Sequence, residues 1–451
     1  MKPIAGHFIP KPTHYRETAL KLYQKALWYN CLFMLQALLE FRIGRPQMIA
    51  GLMLLAFLAQ CLWAGRARKI SDLEYQYMLA GLAAAPMEKP DAPAVSAAPA
   101  VSMDSPFTAL VAALPLQGIH FARKHGPASW NAFLAVPRPW LLRLPFAIFG
   151  VWLGGALWWV ARRLFDNAGG YVALGLYCTS PALIKISSNI GPEILLAWSI
   201  LGLIYTAIGV AHTLYAPPRK WAPRIVILGL SLGFALATAW WSVTLLALAS
   251  AYMFYLAPGC RKKVLIVLAG ASAFGCMVWL AIAWIMGSAG LSPGALLAQK
   301  PGWEALRNLL FPISATTDGY VLVFLFIAAL TTYGSWLRAR YFGNTAPLIT
   351  AFTCVFLLAL VPALRLWDAT LGLTFTFIFI GGVFADLLEI GRSPAPQPRG
   401  EPIGSRLNPA ARDGRVRFRP MWPLAVILIA VFLLRSVLTW FELRGWAQNL
   451  M

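Results

Sequence analysis

Acidic side chains are what this chain has least of: 17 of its 451 residues are Asp or Glu, against 38 Lys and Arg. Charge of either sign is sparse at 12% of residues, while 59% are hydrophobic and the mean hydropathy is +0.66. That balance excludes a soluble globular domain of ordinary composition and reads as a membrane protein. The net charge of +21 does not make it a nucleic-acid binder, because the basic residues fall in short clusters between long apolar runs. Histidine is nearly absent, with five residues, and the six cysteines (Cys31, Cys61, Cys178, Cys260, Cys276 and Cys354) form no CxxC pair. Neither a zinc site nor a disulfide framework is expected. No cleavable signal peptide is expected either, since the chain opens on polar, proline-containing residues and the first strong apolar run begins near Met48.

What is present is a succession of apolar runs near the ~20 residues that cross a bilayer core. They predict an all-α, polytopic membrane protein of about 11 transmembrane helices, at 47–64, 139–160, 169–187, 193–212, 224–238, 240–257, 264–286, 319–336, 346–363, 369–387 and 421–441. The run from Ile225 to Ala257 is continuous, and the pair Trp240-Trp241 is where it is expected to turn. With the N-terminus cytoplasmic, the clusters Arg162/Arg163, Arg219/Lys220, Arg261/Lys262/Lys263, Arg338/Arg340 and the arginine-rich stretch 388–420 all fall on the cytoplasmic side. The resulting plan is a cytoplasmic or interfacial segment 1–46, whose stretch from Arg16 to Phe41 reads as an interfacial helix. It continues as a transmembrane domain 47–387, a basic cytoplasmic loop 388–420, and a last span with a short tail at 421–451. Long extracytoplasmic loops are expected at 65–138 and 287–318. The first carries amphipathic helices on either side of an Ala/Pro-rich linker from Ala83 to Val101.

Against this background, Ser71-Asp72-Leu73-Glu74-Tyr75 stands out, because it places two of the few acids just beyond the first span. A carboxylate beside a bilayer costs solvation free energy unless water, a cation or a donor offsets it. Ser-x-x-Glu also spells a capping box, which would account for Glu74 better than for Asp72. Glu193 opens the fourth span after Ser187-Ser188-Asn189-Ile190-Gly191-Pro192, where Pro-Glu is equally an ordinary helix start. The topology puts Asp72 and Glu193 at one boundary, where two acids can hold a divalent cation or activate a hydroxyl.

These features resemble the GT-C superfamily of integral-membrane glycosyltransferases, in particular its protein O-mannosyltransferase-like and aminoarabinose-transferase-like branch. Asp72 with Tyr75, Tyr77 and Ala80 is similar to the family's acidic motif in the first external loop, and Asp104-Ser105-Pro106-Phe107 stands where its proline segment does. Leu142-Arg143-Leu144-Pro145-Phe146-Ala147-Ile148-Phe149-Gly150, running on to Ala161-Arg162-Arg163-Leu164-Phe165, looks like the second span. Ser180-Pro181 and Pro192-Glu193 also match, and the similarity covers residues 50 to 260. The sequence departs from the pattern where Leu73 separates the two acids, where one proline replaces a pair, and where Ala239-Trp240-Trp241 replaces a lysine.

The resemblance implies a sugar donor on a polyprenyl phosphate, an acceptor hydroxyl on a lipid, glycan or protein, and inverting transfer at the outer face of a bacterial inner membrane. Asp72 would be the base, with Glu74 as its substitute, and Glu193 would orient the acceptor or help bind a divalent cation. Lys300, Arg307, Arg435 and Arg143 are the cations available to the lipid phosphate, although Arg435 and Arg143 could equally snorkel to headgroups. His120 and His125 read as interfacial contacts. Two other functions fit the same outline: a non-catalytic subunit that binds lipid-linked sugar within an envelope assembly, and a transporter. Against transport stand the lack of a clear internal repeat and of a mid-span acid.

Overall fold

The computed structural model describes residues 45–84, 105–125, 138–286, 317–335, 342–360, 370–390, 430–431, 433–441 and 444–445. The chain divides into a unit Met1–Ile49, of which only the start of the first helix is described, and a unit Ala50–Met451. Every regular element among the described residues is helical. In chain order they are α1 (Arg45–Ala67), α2 (Asp72–Ala84), α3 (Pro106–His125), α4 (Pro139–Cys178), α5 (Pro181–Ser187), α6 (Pro192–Thr213) and α7 (Pro218–Thr238). They continue as α8 (Val243–Leu256), α9 (Arg261–Ile285), α10 (Thr317–Ser335), α11 (Phe342–Leu360) and α12 (Thr370–Ile390). Residues 433–441 form a further helical segment. Proline opens α3, α4, α5, α6 and α7, the position where its missing N–H costs nothing and its fixed φ suits the first turn.

Among the described residues, five helices are long and apolar enough to cross a membrane: Pro46–Ala67, Pro139–Cys178, Pro192–Thr213, Trp221–Thr238 and Pro258–Ile285. The chain is an all-α protein built to sit in a bilayer. Helices occur close to each predicted span, and two junctions are instructive. The Trp240-Trp241 pair does interrupt the chain: Ala239 is extended (φ −153°, ψ 114°), and a single 3₁₀ turn, Trp240–Ser242, separates α7 from α8. The expected span 169–187 is shorter than predicted, because Pro181 starts a separate short helix and the preceding one stops at Cys178. The interfacial helix expected from Arg16 to Phe41, residues 287–316 of the second expected loop, and the basic stretch after Ile390 lie outside the described residues.

α4 is two antiparallel arms, broken at Phe165 (φ −134°, ψ 22°) and Asp166 (φ 60°, ψ −170°). The Tyr177 hydroxyl donates to the Gly150 carbonyl at 2.7 Å, which ties the returning arm to the outgoing one. Asp166 is the one described non-glycine residue with positive φ, in a region that is almost glycine-only. Asp166→Gly is therefore expected to stabilise the fold by about 1 kcal/mol, read as a rise in the melting temperature in mild detergent.

α6 lies at the centre, packed against α4, α7, α8 and α12. Small residues let the helices approach one another closely. A Cβ on Gly229 or Gly233 of α7 would lie 2.9 or 2.8 Å from the carbonyl oxygens of Ala271 or Gly275 in α9. One on Gly381 of α12 would lie 2.7 Å from the Gly169 carbonyl. In a membrane, where apolar side chains gain little by leaving lipid, such backbone approach is a main source of helix association.

α2 and α3 were expected to be amphipathic, and α2 departs from that pattern. Its inward face carries Glu74, Met78 and Gly81, while Leu73, Tyr75 and Leu79 are exposed. One charged group, Glu74, is inside, and the outer face mixes Leu73, Tyr75 and Leu79 with Asp72 and Gln76. Gly81 lets α2 settle on α3, since a Cβ there would collide with the Ala109 carbonyl. α3 is anchored in turn by Phe107, which stacks on Phe234 of α7 at 4.7 Å and meets Phe149 of α4 edge-on at 6.2 Å.

Candidate functional site

α1 ends at Ala67, and α2 begins five residues later behind a complete capping box. The Glu74 amide donates to Ser71 Oγ at 3.3 Å, and the Ser71 amide donates back to Glu74 Oε2 at 2.8 Å. The same carboxylate has a second use. Arg143, in the first turns of α4, donates from Nε to Glu74 Oε1 at 2.9 Å and from Nη2 to Oε2 at 2.6 Å, a bidentate pair with both side chains almost wholly buried. The Ile190 amide, in the turn before α6, also donates to Glu74 Oε1, at 2.9 Å.

The rest of the Arg143 guanidinium closes the end of α1. Nη1 donates to the carbonyls of Gly65 and Arg68 and Nη2 to that of Lys69, each at 2.8 Å. Those carbonyls include groups that a helix end leaves without intrahelical partners. Arg143 thus spends all five of its N–H donors, and Glu74 accepts four hydrogen bonds. A parallel link runs beside this pair, where Arg68 Nη1 donates to Asn189 Oδ1 at 2.7 Å. Four stretches meet here: 65–69, 71–74, the start of α4, and the turn 188–190.

Burial alone would raise the Glu74 carboxyl, but hydrogen bonds and charge from Arg143, with the amides of Ile190 and Ser71, outweigh it and hold the group below the usual carboxylate range. Burial, and then the neighbouring Arg143 charge, pull the Arg68 guanidinium down from its ordinary value, with Glu74 opposing. A carboxyl whose folded value is depressed contributes stability above its unfolded value, and that contribution is lost as pH falls through the folded value. Thermal stability is therefore expected to fall below about pH 4, where an unperturbed glutamate begins to protonate. Glu74→Gln is expected to be less stable at neutral pH and to show a shallower acid limb between pH 5 and 3.

Asp72, the first residue of α2, is exposed. Glu193, the second residue of α6, is half-buried, and its carboxylate folds back over Gly191 so closely that a Cβ there would collide with it. The segments carrying these two acids are joined directly, because Ile190 and Asn189 bond to Glu74 and Arg68. Glu74 and Arg143 have no acceptor site or N–H left over for a substrate or a lipid phosphate. Arg435 is fully buried: Nη1 donates to the Leu176 carbonyl at 3.2 Å near the end of α4, and its guanidinium lies 5.7 Å from the Phe377 ring centroid. A cation at a helix C-terminus and over an aromatic face is in a favourable field. Lys300 and Arg307 lie outside the described residues. His120 is exposed, and His125 ends α3. In the stretch Ala239-Trp240-Trp241, Trp241 is buried and Trp240 is exposed.

Among the described residues, no three His, Cys, Asp or Glu side chains come together to hold a metal ion. Sequence reasoning passed over Arg68 and Asn189. The only local sign was an asparagine in a tight turn, and its partner lies 121 residues away.

No protein-family model matches the chain, and no curated protein sequence does. Among solved structures, the apo oligosaccharyltransferase of Archaeoglobus fulgidus is similar at TM-score 0.48 and 14% identity over 86% of this chain. The archaeal oligosaccharyltransferase AglB of the same organism, in complex with an inhibitory peptide and a dolichol-phosphate, is similar at TM-score 0.49 and 15% identity over 87% of this chain. The chain spans 56% of the length of each.

Proposed function

We propose that this protein is a GT-C-type membrane glycosyltransferase that moves a sugar from a polyprenyl phosphate to an acceptor hydroxyl on the extracytoplasmic side. The observation that carries the reading is the junction of the acidic stretch 71–74 with the turn 188–193. It brings Asp72 and Glu193 to one end of the bundle, although 121 residues separate them in sequence. Of the acids there, Asp72 is the exposed one. It serves as the base.

In the step, the acceptor O–H gives its proton to the Asp72 carboxylate as its oxygen bonds to the anomeric carbon. The bond from that carbon to the phosphate oxygen breaks, and the electron pair leaves with the prenyl phosphate. The product is a glycoside of inverted configuration. A phosphate leaves without a general acid, so the base is the group the reaction needs, at a typical 10²–10⁴-fold. Glu193 orients the acceptor. Lys300 and Arg307 of the second long loop hold the phosphate, since Arg143 is fully engaged elsewhere.

The commitment of Glu74 and Arg143 to structure favours one competing reading, a non-catalytic subunit that keeps the fold and binds lipid-linked sugar. Purified protein in lipid nanodiscs, given short-chain prenyl phosphates carrying radiolabelled hexoses or pentoses together with membrane extract as acceptor, separates the two. Label transferred with inversion of the anomeric centre is expected. Binding of the donors with no transfer from any of them would leave the non-catalytic reading.

A further inference from the structure

We infer that the Glu74–Arg143 pair is a positioning element for this site: it pins the start of α2, and so Asp72, against the turn that leads into Glu193. The inference rests on the proposed transfer reaction for its functional consequence, but its structural part stands apart from it. Asp72 sits on a short helix between two breaks, and α2 is followed by a long connection to α3. Nothing in the covalent chain holds the first turn of α2 near residues 188–193. The buried pair does so through four segments at once: three carbonyls at the end of α1, the α2 capping box, the first arm of α4 and the Ile190 amide.

The donor count makes the arrangement strict. Five guanidinium N–H groups meet five acceptor positions, and the carboxylate accepts four donors from three directions. Lysine offers three donors and no planar fork, and glutamine offers one acceptor oxygen and presents an NH₂ group where donors already point. Either replacement frees part of the cluster. Misplacing a reacting group by about 1 Å costs on the order of 100-fold in rate, so a pair that touches no substrate still governs turnover.

The test places nitroxide labels on cysteines at Tyr75 and Lys185, both exposed and on the two sides of the junction. Cys31, Cys260 and Cys276 are replaced by serine. Pulsed electron–electron resonance on the nanodisc-embedded protein is expected to give one narrow distance distribution in the parent. With Glu74→Gln or Arg143→Lys it is expected to at least double in width. In the transfer assay the unlabelled variants are expected to lose about 100-fold in kcat, with KM changed less than about threefold and the same fractional loss at every pH between 6 and 8. Arg143→Lys keeps the charge and covers the case in which Glu74→Gln does not fold.

A distribution that stays narrow in both variants overturns the inference, and so does a broadened one with undiminished kcat. Loss of kcat with a narrow distribution would make Glu74 a group that acts on substrate itself. Should Asp72→Asn be as active as the parent, the proposed reaction fails, and the distance measurement still decides whether the pair holds the junction.

Discussion

Arg143→Met is expected to destabilise the protein by about 3–5 kcal/mol, because it leaves the Glu74 carboxylate buried without its counter-charge. Both side chains are nearly inaccessible, at 3% and 5% exposure, so water cannot replace the lost partner without opening the junction. The three carbonyls at the end of α1 lose their donors in the same stroke, and each buried acceptor left unpaired adds its own desolvation cost. The double variant Glu74→Leu/Arg143→Met removes both charges. It is expected to recover about 1–4 kcal/mol relative to Arg143→Met, since an apolar pair of similar volume often stabilises as well as a buried ion pair. Thermal unfolding of all four species in one detergent closes the cycle and isolates the coupling. A double variant no more stable than Arg143→Met would show that the carbonyl contacts, and not the ion pair, hold the junction.

The helical framework was readable because its signal is local. Apolar runs of the right length, proline at helix starts and the tryptophan pair at 240–241 each act over a few residues, and helices lie close to every run. The break at Phe165–Asp166 follows Arg162 and Arg163, where the charge pattern required the chain to turn. Glu74 was only half readable. Its capping box is a pattern over four residues and is present, but its ion pair joins residues 69 apart and leaves no periodic trace. That an arginine inside an apolar run must find an anion was sound physics. Among the available anions, a protein carboxylate two residues from Asp72 took the place assigned to a lipid phosphate. The two acids of this stretch therefore do different jobs: Glu74 builds the junction, and Asp72 is left exposed beside it.

Asp72→Asn is expected to lower glycosyl transfer 10²–10⁴-fold while leaving the protein folded and inserted. The two halves of this prediction follow from the same exposed position. Because Asp72 makes no buried contact, its amide costs only the favourable field of a carboxylate in the first turn of α2, about 0.3–1 kcal/mol, which thermal unfolding will register as a small shift. Because asparagine is nearly isosteric and cannot take the acceptor proton, the loss is expected in kcat, with donor binding unchanged. Asp72→Glu keeps the proton acceptor but moves it by one methylene, so an intermediate loss is expected. Glu193→Gln, which retains a hydrogen-bonding group at the acceptor side, is expected to raise the acceptor KM more than it lowers kcat. If Asp72→Asn retains a tenth or more of the parent rate, the base lies elsewhere. If the variant instead loses transfer and also unfolds near the temperature at which Arg143→Met does, Asp72 belongs to the junction itself and not to the reaction.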